Sequence, residues 1–232
     1  MRLTYLASLS LIAVGLCAAE PAAPSRRDVR LLVGVTPNYQ VTEAMTPAGG
    51  GSGADFKWQG SDRMAPALGL QWLFEFGQPR QTGRPIIGAE VLLSTGVVQP
   101  ETYGSNGATQ VNADSETFSY VAAHPALVLG WRFTQPEGSS IGVIGEVQAA
   151  LGVTALTGEL KNAYGSDLSI GYGADAGIRL LLGLQEAGWL GTVSVGAHRG
   201  VAGITMDMDT YTSDLTLDSI GAEVLVSIGY LF

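Results

Sequence analysis

The sequence is poor in the residues that usually cover a water-soluble surface. Only 14% of its 232 residues are charged, and lysine occurs just twice, at Lys57 and Lys161. There is one cysteine, Cys17, inside the N-terminal apolar run. Downstream of it no disulfide can form, so the fold depends on neither an oxidising nor a reducing compartment. Past the N-terminus, every apolar stretch is broken by Gly, Ser, Glu or Arg, well short of the ~20 residues that a membrane helix requires. Positive charge is scarce: 12 Lys and Arg stand against 21 Asp and Glu, a net charge of −9. With no basic stripe to neutralise phosphates, the chain is excluded as a nucleic-acid binder.

What the chain does have is apolar residues and glycine. Hydrophobic residues make up 46% and glycines number 32, and the mean hydropathy is +0.24. High hydropathy without a helical span leaves two architectures. One is a secreted all-β domain with a large core; the other is a transmembrane barrel, whose strands alternate rather than forming solid apolar blocks.

Residues 1–19 read as a cleaved export signal. Arg2 is the positive end, "LASLSLIAVGL" the apolar centre, and "CAA" before Glu20 the small-residue cleavage site. Leu16 is bulky where a lipoprotein signal needs a small residue, which argues against a lipid on Cys17. Residues 20–28 are then expected to form a short periplasmic lead, and 29–232 the folded domain.

Within 29–232 eight segments alternate with period two: 29–39, 67–76, 86–97, 118–133, 141–153, 168–182, 189–198 and 219–232. Most reach the ~10 residues that a tilted membrane strand needs. The second sets Leu68, Leu70, Trp72, Phe74 and Phe76 on one face, against Ala67, Gly69, Gln71, Leu73 and Glu75. Pro125, inside the fourth, predicts a bulge or a strand edge. The links "GQPRQTGRP", "TQPEGSS" and "LQEAG" are short, whereas 40–66, 98–117, 154–167 and 199–218 are long and polar. Short turns at one rim and long loops at the other suit an outer-membrane barrel with both termini on the periplasmic side. The expected architecture is therefore all-β: an eight-stranded, antiparallel, up-and-down transmembrane β-barrel.

Aromatic residues gather at one end of these segments. Phe74, Phe76, Trp131, Phe133, Trp189, Tyr230 and Phe232 all fall near the expected periplasmic rim, where ring side chains suit the lipid–water interface. If the apolar faces meet lipid, the opposite faces line the lumen. They carry Arg30, Glu75, Glu90, Arg132, Glu146, Asp175, Arg179 and Glu223. Charges of both signs alternate around the wall, so pairing is expected to satisfy them. Eight strands leave a bore just wide enough for side chains. A plugged lumen is thus expected ahead of a narrow channel.

The signal, the eight alternating segments and the ending "GYLF" together resemble the small outer-membrane barrels of the OmpA/OmpX/OmpW type. Chains of that kind end on Phe with an aromatic residue two positions earlier, as Tyr230 and Phe232 do here. The resemblance implies that this ending is read by the barrel-assembly machinery. It also implies outer-membrane lipid and lipopolysaccharide as surroundings, and a monomer.

Sharper motifs fail on their context. The barrel deacylases carry a His and a Ser two apart near the C-terminus, but Gly200 stands two residues after His198, and Ala126 two after His124. "GSSIG" (138–142) and "GYGADAG" (171–177) lack the strand-then-helix setting that a nucleophile elbow or a dinucleotide loop requires. Asp207, Asp209, Asp214 and Asp218 fall in an expected loop without the Gly and Glu of a calcium-binding loop. No catalytic, cofactor-binding or metal-ligating residue is expected, and the chain reads as a non-enzyme. The function expected is structural, with surface interaction through four mobile loops. Passage of small or hydrophobic solutes is the alternative, and a lipid A-modifying enzyme a lesser one.

Overall fold

The computed structural model describes residues 26–49, 54–59, 63–76, 83–99, 102–105, 108–110, 116–133, 141–162 and 165–232. The export signal and most of "GSSIG" lie outside them. The wall is built from β1 (Arg26–Pro37), β4 (Met64–Glu75), β5 (Arg84–Val98), β8 (Thr117–Phe133), β9 (Ile141–Asn162), β10 (Gly165–Glu186), β11 (Trp189–Asp207) and β12 (Tyr211–Leu231). Each pairs antiparallel with the next, and β1 also pairs with β12, from Asp28↔Leu231 to Val35↔Val224, which closes the ring. Closure removes the two open edges a sheet of this size would otherwise expose. The ring is locked where the chain ends meet: the Phe232 amide donates to the Arg27 carbonyl at 2.8 Å.

The strands are longer than a membrane requires. β9 and β10 each span 22 residues and β12 spans 21, about twice the 9–11 that cross a bilayer. The excess lies at the end away from the termini. There β1 breaks at Asn38–Tyr39 and continues as β2 (Gln40–Pro47), which pairs with the first part of β12. Three short strands, β3 (Ala54–Gln59), β6 (Thr102–Ser105) and β7 (Ala108–Gln110), extend the sheet outward from β2.

Several expectations change here. Segments 154–167 and 199–218, expected as loops, are largely strand, and 40–66 and 98–117 contain four strands. The first strand begins at Arg26 rather than at residue 29, because Arg26 and Arg27 already pair with Glu75 and Phe74. Pro125 makes neither a bulge nor an edge. The β8–β9 ladder skips His124 and Pro125 and resumes in the same register, from Ala123↔Ala155 to Ala126↔Gly152. A proline has no amide hydrogen to give the ladder, so pairing lapses there without an inserted residue.

Alternation explains the missed strands. Near the termini the apolar residues face outward and the polar ones inward. Val193 and Val195, for example, are exposed, while Thr192 and Ser194 are buried. Beyond the middle of the barrel the order inverts. Leu156, Leu160, Ile204, Met206, Leu215 and Leu217 are buried inside; Thr157, Lys161, Thr205, Asp207, Asp214 and Thr216 point out. A strand that leaves lipid for water exchanges an apolar outer face for a polar one, and its interior becomes an ordinary apolar core.

Candidate functional site: the barrel lumen

Toward the terminal end, four guanidiniums and five carboxylates share one buried network. Arg30 gives Glu146 two hydrogen bonds, of 3.0 and 2.6 Å, and Asp28 a third of 2.9 Å. Arg132 donates through Nε to Glu146 Oε1 at 2.6 Å and also binds Glu75 and Asp28. Arg84 adds a 3.0 Å bond to the second oxygen of Glu75. Arg179 bridges Glu90 and Glu223. Two amides join the halves: Gln71 donates to Glu90 at 2.8 Å and to Gln148 at 3.0 Å, and Gln148 donates to Glu146 at 2.6 Å. Arg30 and Glu223 have no exposed surface. Charges withdrawn from water this far are tolerable only with close partners, and each charged group here has at least one, although Asp28 Oδ1 and Arg30 Nε make no hydrogen bond.

The structure thus brings Arg30, Glu75, Glu90, Arg132, Glu146, Arg179 and Glu223 together. Asp175 stands apart and binds His124 instead. Sequence reasoning missed Asp28 and Arg84. Asp28 falls in the expected leading segment, although it lies two residues before Arg30 and so shares its face. Below the network Ile144, Leu190 and Leu231 form a small apolar floor.

The aromatic residues face outward at the terminal rim. Trp189 is 59% and Phe232 72% exposed. Trp189 meets Tyr230 edge-on at 5.4 Å, and Tyr230 meets Phe232 at 5.2 Å. The Arg27 guanidinium lies 5.9 Å from the Phe74 ring centre. Phe133 is exposed, while Phe76 and Trp131 are half-buried. The two-residue turn before this rim needs positive φ at Ala187 and Gly188, and Gly188 packs directly on the Tyr230 ring.

Above the charges lies a polar layer with an order that no single strand encodes. Adjacent strands β5, β8, β9 and β10 present Ser94, His124, Thr154 and Asp175 side by side. Ser94 Oγ is 2.9 Å from His124 Nε2, and His124 Nδ1 is 2.7 Å from Asp175 Oδ2. Thr154 donates to the same Asp175 oxygen at 3.3 Å. Gly152 makes room for this: a Cβ there would lie 2.5 Å from Asp175 Oδ1 and 2.6 Å from the Pro125 carbonyl. The His198 ring is 6.1 Å from that of His124. Further out the lumen is apolar, a cluster that includes Val41, Phe118, Leu156, Leu160, Met206 and Leu217.

The acidic segment offers no ion site in this geometry. Asp207 accepts from Thr212 and Asp214 from Thr205, both across the β11–β12 hairpin. Among the described residues no group of three or more His, Cys, Asp or Glu could hold a metal ion.

Comparison with solved structures places this geometry. The outer membrane protein OprG of Pseudomonas aeruginosa superposes with a TM-score of 0.53 at 12% identity, covering 91% of this chain and 98% of that one. The fold is that of the small outer-membrane β-barrels. The outer membrane protease OmpT from Escherichia coli aligns at a TM-score of 0.45 and 10% identity, over 90% of this chain and 98% of that one. The attachment invasion locus protein Ail of Yersinia pestis aligns at 0.36 and 9%, over 88% and 98%. No family model and no curated protein matches the sequence. At such identities the likeness extends to the fold alone.

Proposed function

We propose that this protein is an integral barrel of a diderm outer membrane, delivered by a cleaved signal and closed to solutes by its lumen network. Its role is then structural and surface-interactive, exerted through the sheet that extends beyond the bilayer. Outer-membrane lipid and lipopolysaccharide are its surroundings, the assembly machinery reads Tyr230 and Phe232, and the barrel is monomeric. The observation that carries this reading is the joining of every lumen arginine to a carboxylate. Mobile side chains of one sign would line a pore; fixed pairs that span the bore fill it. The test is planar-bilayer recording of the purified barrel. A silent membrane, with a barrel that migrates faster unboiled in SDS–PAGE, supports closure. Steady single-channel steps defeat it.

One observation favours a second reading, passage of small hydrophobic solutes. The β10–β11 ladder ends at Tyr172↔Gly203, below the tops of both strands. A cleft of about 380 Å³ opens on the outer face there, lined by Ile170, Ile204, Thr205, Asp214 and Leu215 among others. Ile204 and Leu215 also belong to the apolar interior, so the cleft is floored by side chains of that core. Uptake of a radiolabelled alkane by cells with and without the protein separates the readings.

A further inference from the structure

The Ser94–His124–Asp175 chain has the connectivity of a nucleophile with its base and orienting carboxylate. We infer that it is a serine-esterase centre acting on esters with a long apolar acyl chain. This goes beyond the structural role proposed above and does not depend on it.

The argument rests on which atoms meet. In a hydrolytic triad the base must accept from the hydroxyl through one ring nitrogen and donate to a carboxylate through the other. Here Ser94 Oγ meets Nε2 at 2.9 Å and Asp175 Oδ2 meets Nδ1 at 2.7 Å. The carboxylate fixes the tautomer with hydrogen on Nδ1, which leaves the Nε2 lone pair toward Ser94. Asp175 is held in turn by Thr154. Its side chain is 5% exposed and that of His124 7%, so water does not compete for these bonds. Sequence order is irrelevant to such a centre, because roles are defined by geometry. A purely structural polar layer would be satisfied by any hydrogen-bonded trio. This one is also given its space by the glycine at 152, where a Cβ would lie 2.5 Å from Asp175 Oδ1.

Two neighbours suit the chemistry. The Tyr39 hydroxyl is buried, lies in the surroundings of Thr154 and Asp175, and makes no hydrogen bond of good geometry. Turned from Thr154, it is the donor for the charge that develops on a carbonyl oxygen. The apolar interior begins at the same level: Ala122, part of it, pairs in register with Ser94. For an acyl chain to bring its ester carbon down to Ser94, the side chains of Phe118, Leu156 and Ile204, which fill this interior, must part to admit it.

The step balances with water as co-substrate. Ser94 Oγ bonds to the ester carbon as its proton passes to His124 Nε2. The carbon–oxygen bond to the alcohol breaks, and His124 returns the proton to the leaving alkoxide. Water then attacks the acyl–Ser94 carbon, giving its proton to His124 and through it to Ser94 Oγ. Acid and alcohol leave.

The test is labelling of the purified full barrel with a long-chain alkyl fluorophosphonate, read by intact mass and peptide mapping, alongside hydrolysis of p-nitrophenyl decanoate. The expected result is one adduct, on Ser94, with ester turnover abolished in Ser94→Ala. Asp175→Asn is expected to slow turnover by about 10⁴-fold, as loss of the orienting carboxylate does elsewhere. Ser227→Ala, a lumen serine bonded to Thr192 in the other half, should label like the parent. Each variant is first checked for the heat shift of a closed barrel. Where Asp175→Asn fails that check, Ser94→Ala, which removes one oxygen, carries the test. Absence of an adduct on the folded parent, or an adduct on another residue with turnover unchanged in Ser94→Ala, overturns the assignment.

Discussion

Arg30 and Glu146 meet across the lumen through two hydrogen bonds, of 3.0 and 2.6 Å, although 116 residues separate them in the chain. Glu146 also accepts from Arg132 and Gln148, so one carboxylate organises β1, β8 and β9. Such a group holds the wall in register from within, because its partners sit on strands that only folding makes neighbours.

Removing that charge should be costly. In Glu146→Gln two buried guanidiniums lose their shared counter-ion, and breaking a buried pair typically costs about 3–5 kcal/mol. Glu159, whose pair with Lys161 is largely exposed, is the control; Glu159→Gln should stay within about 0.5 kcal/mol of the parent. Urea unfolding of the barrel in detergent micelles, followed by Trp fluorescence, measures both. Equal midpoints for the two variants would mean that the network does not stabilise the wall.

The same substitution tests the closed lumen. With Glu146 neutral, Arg30 and Arg132 keep only Asp28 and Glu75 as charged partners. Their mobility should open an anion-preferring path. Planar-bilayer recordings should show short openings in Glu146→Gln that are absent from the parent. Identical records for the two would place the barrier elsewhere in the lumen.

The inversion of alternation predicts opposite costs at neighbouring positions. Val195 faces outward in the lipid-facing band and Thr157 outward beyond it, while Leu156 faces the apolar interior. In a bilayer Val195→Arg should cost about 2–4 kcal/mol if it lies near the midplane. Thr157→Arg should cost under about 0.5 kcal/mol, as an exposed change does. Leu156→Arg buries an unpaired charge and should prevent folding. The heat-resistant fraction after refolding into vesicles ranks the three. A Thr157→Arg as damaging as Val195→Arg would move the membrane boundary outward.

That inversion also explains what the sequence disclosed. Every lipid-facing strand was legible, since Leu68 to Phe76 or Val224 to Phe232 repeat large apolar residues at every second position. The outer continuations of β9 to β12 were not. There Leu215 and Leu217 alternate with Thr216 and Asp218 in the opposite sense, and polarity on the outside reads as loop. Lumen charges were legible as a set of inward residues, but not their partners. Asp28 fell outside an assumed boundary, and nothing in the sequence aligns Ser94 with His124 and Asp175. Those residues lie on separate strands, and the register that joins them exists only in the closed sheet.

The chain terminus gives a prediction about assembly. Phe232 pairs with Arg27 through backbone bonds in both directions and meets the Tyr230 ring edge-on. Deleting Phe232 removes the last link of the closing seam. Trp189→Ala removes only a ring contact, worth about 0.5–1.5 kcal/mol beyond its buried area. In cells the deletion should lower the heat-modifiable outer-membrane form several-fold, and Trp189→Ala should leave its amount near the parent level. Equal amounts in all three would show that closure does not depend on the final residue.

Gly152 makes the sharpest local prediction, because its space is already taken. A Cβ at 152 would fall 2.5 Å from Asp175 Oδ1 and 2.6 Å from the Pro125 carbonyl, whereas one at Gly203 would meet nothing within 4 Å. Contacts that short must be relieved: the carboxylate can turn, while the Pro125 carbonyl yields only with its backbone. Gly152→Ala should therefore turn Asp175 away from His124 and leave the imidazole without its 2.7 Å bond. Nitrogen-15 spectra of the two histidines should show the His124 Nδ1–H signal shifted or lost in Gly152→Ala and unchanged in Gly203→Ala. An unchanged His124 signal in Gly152→Ala would mean that the backbone of β8 at Pro125 yields instead, and that the hydrogen bond between His124 and Asp175 governs the local register of the ladder rather than following from it.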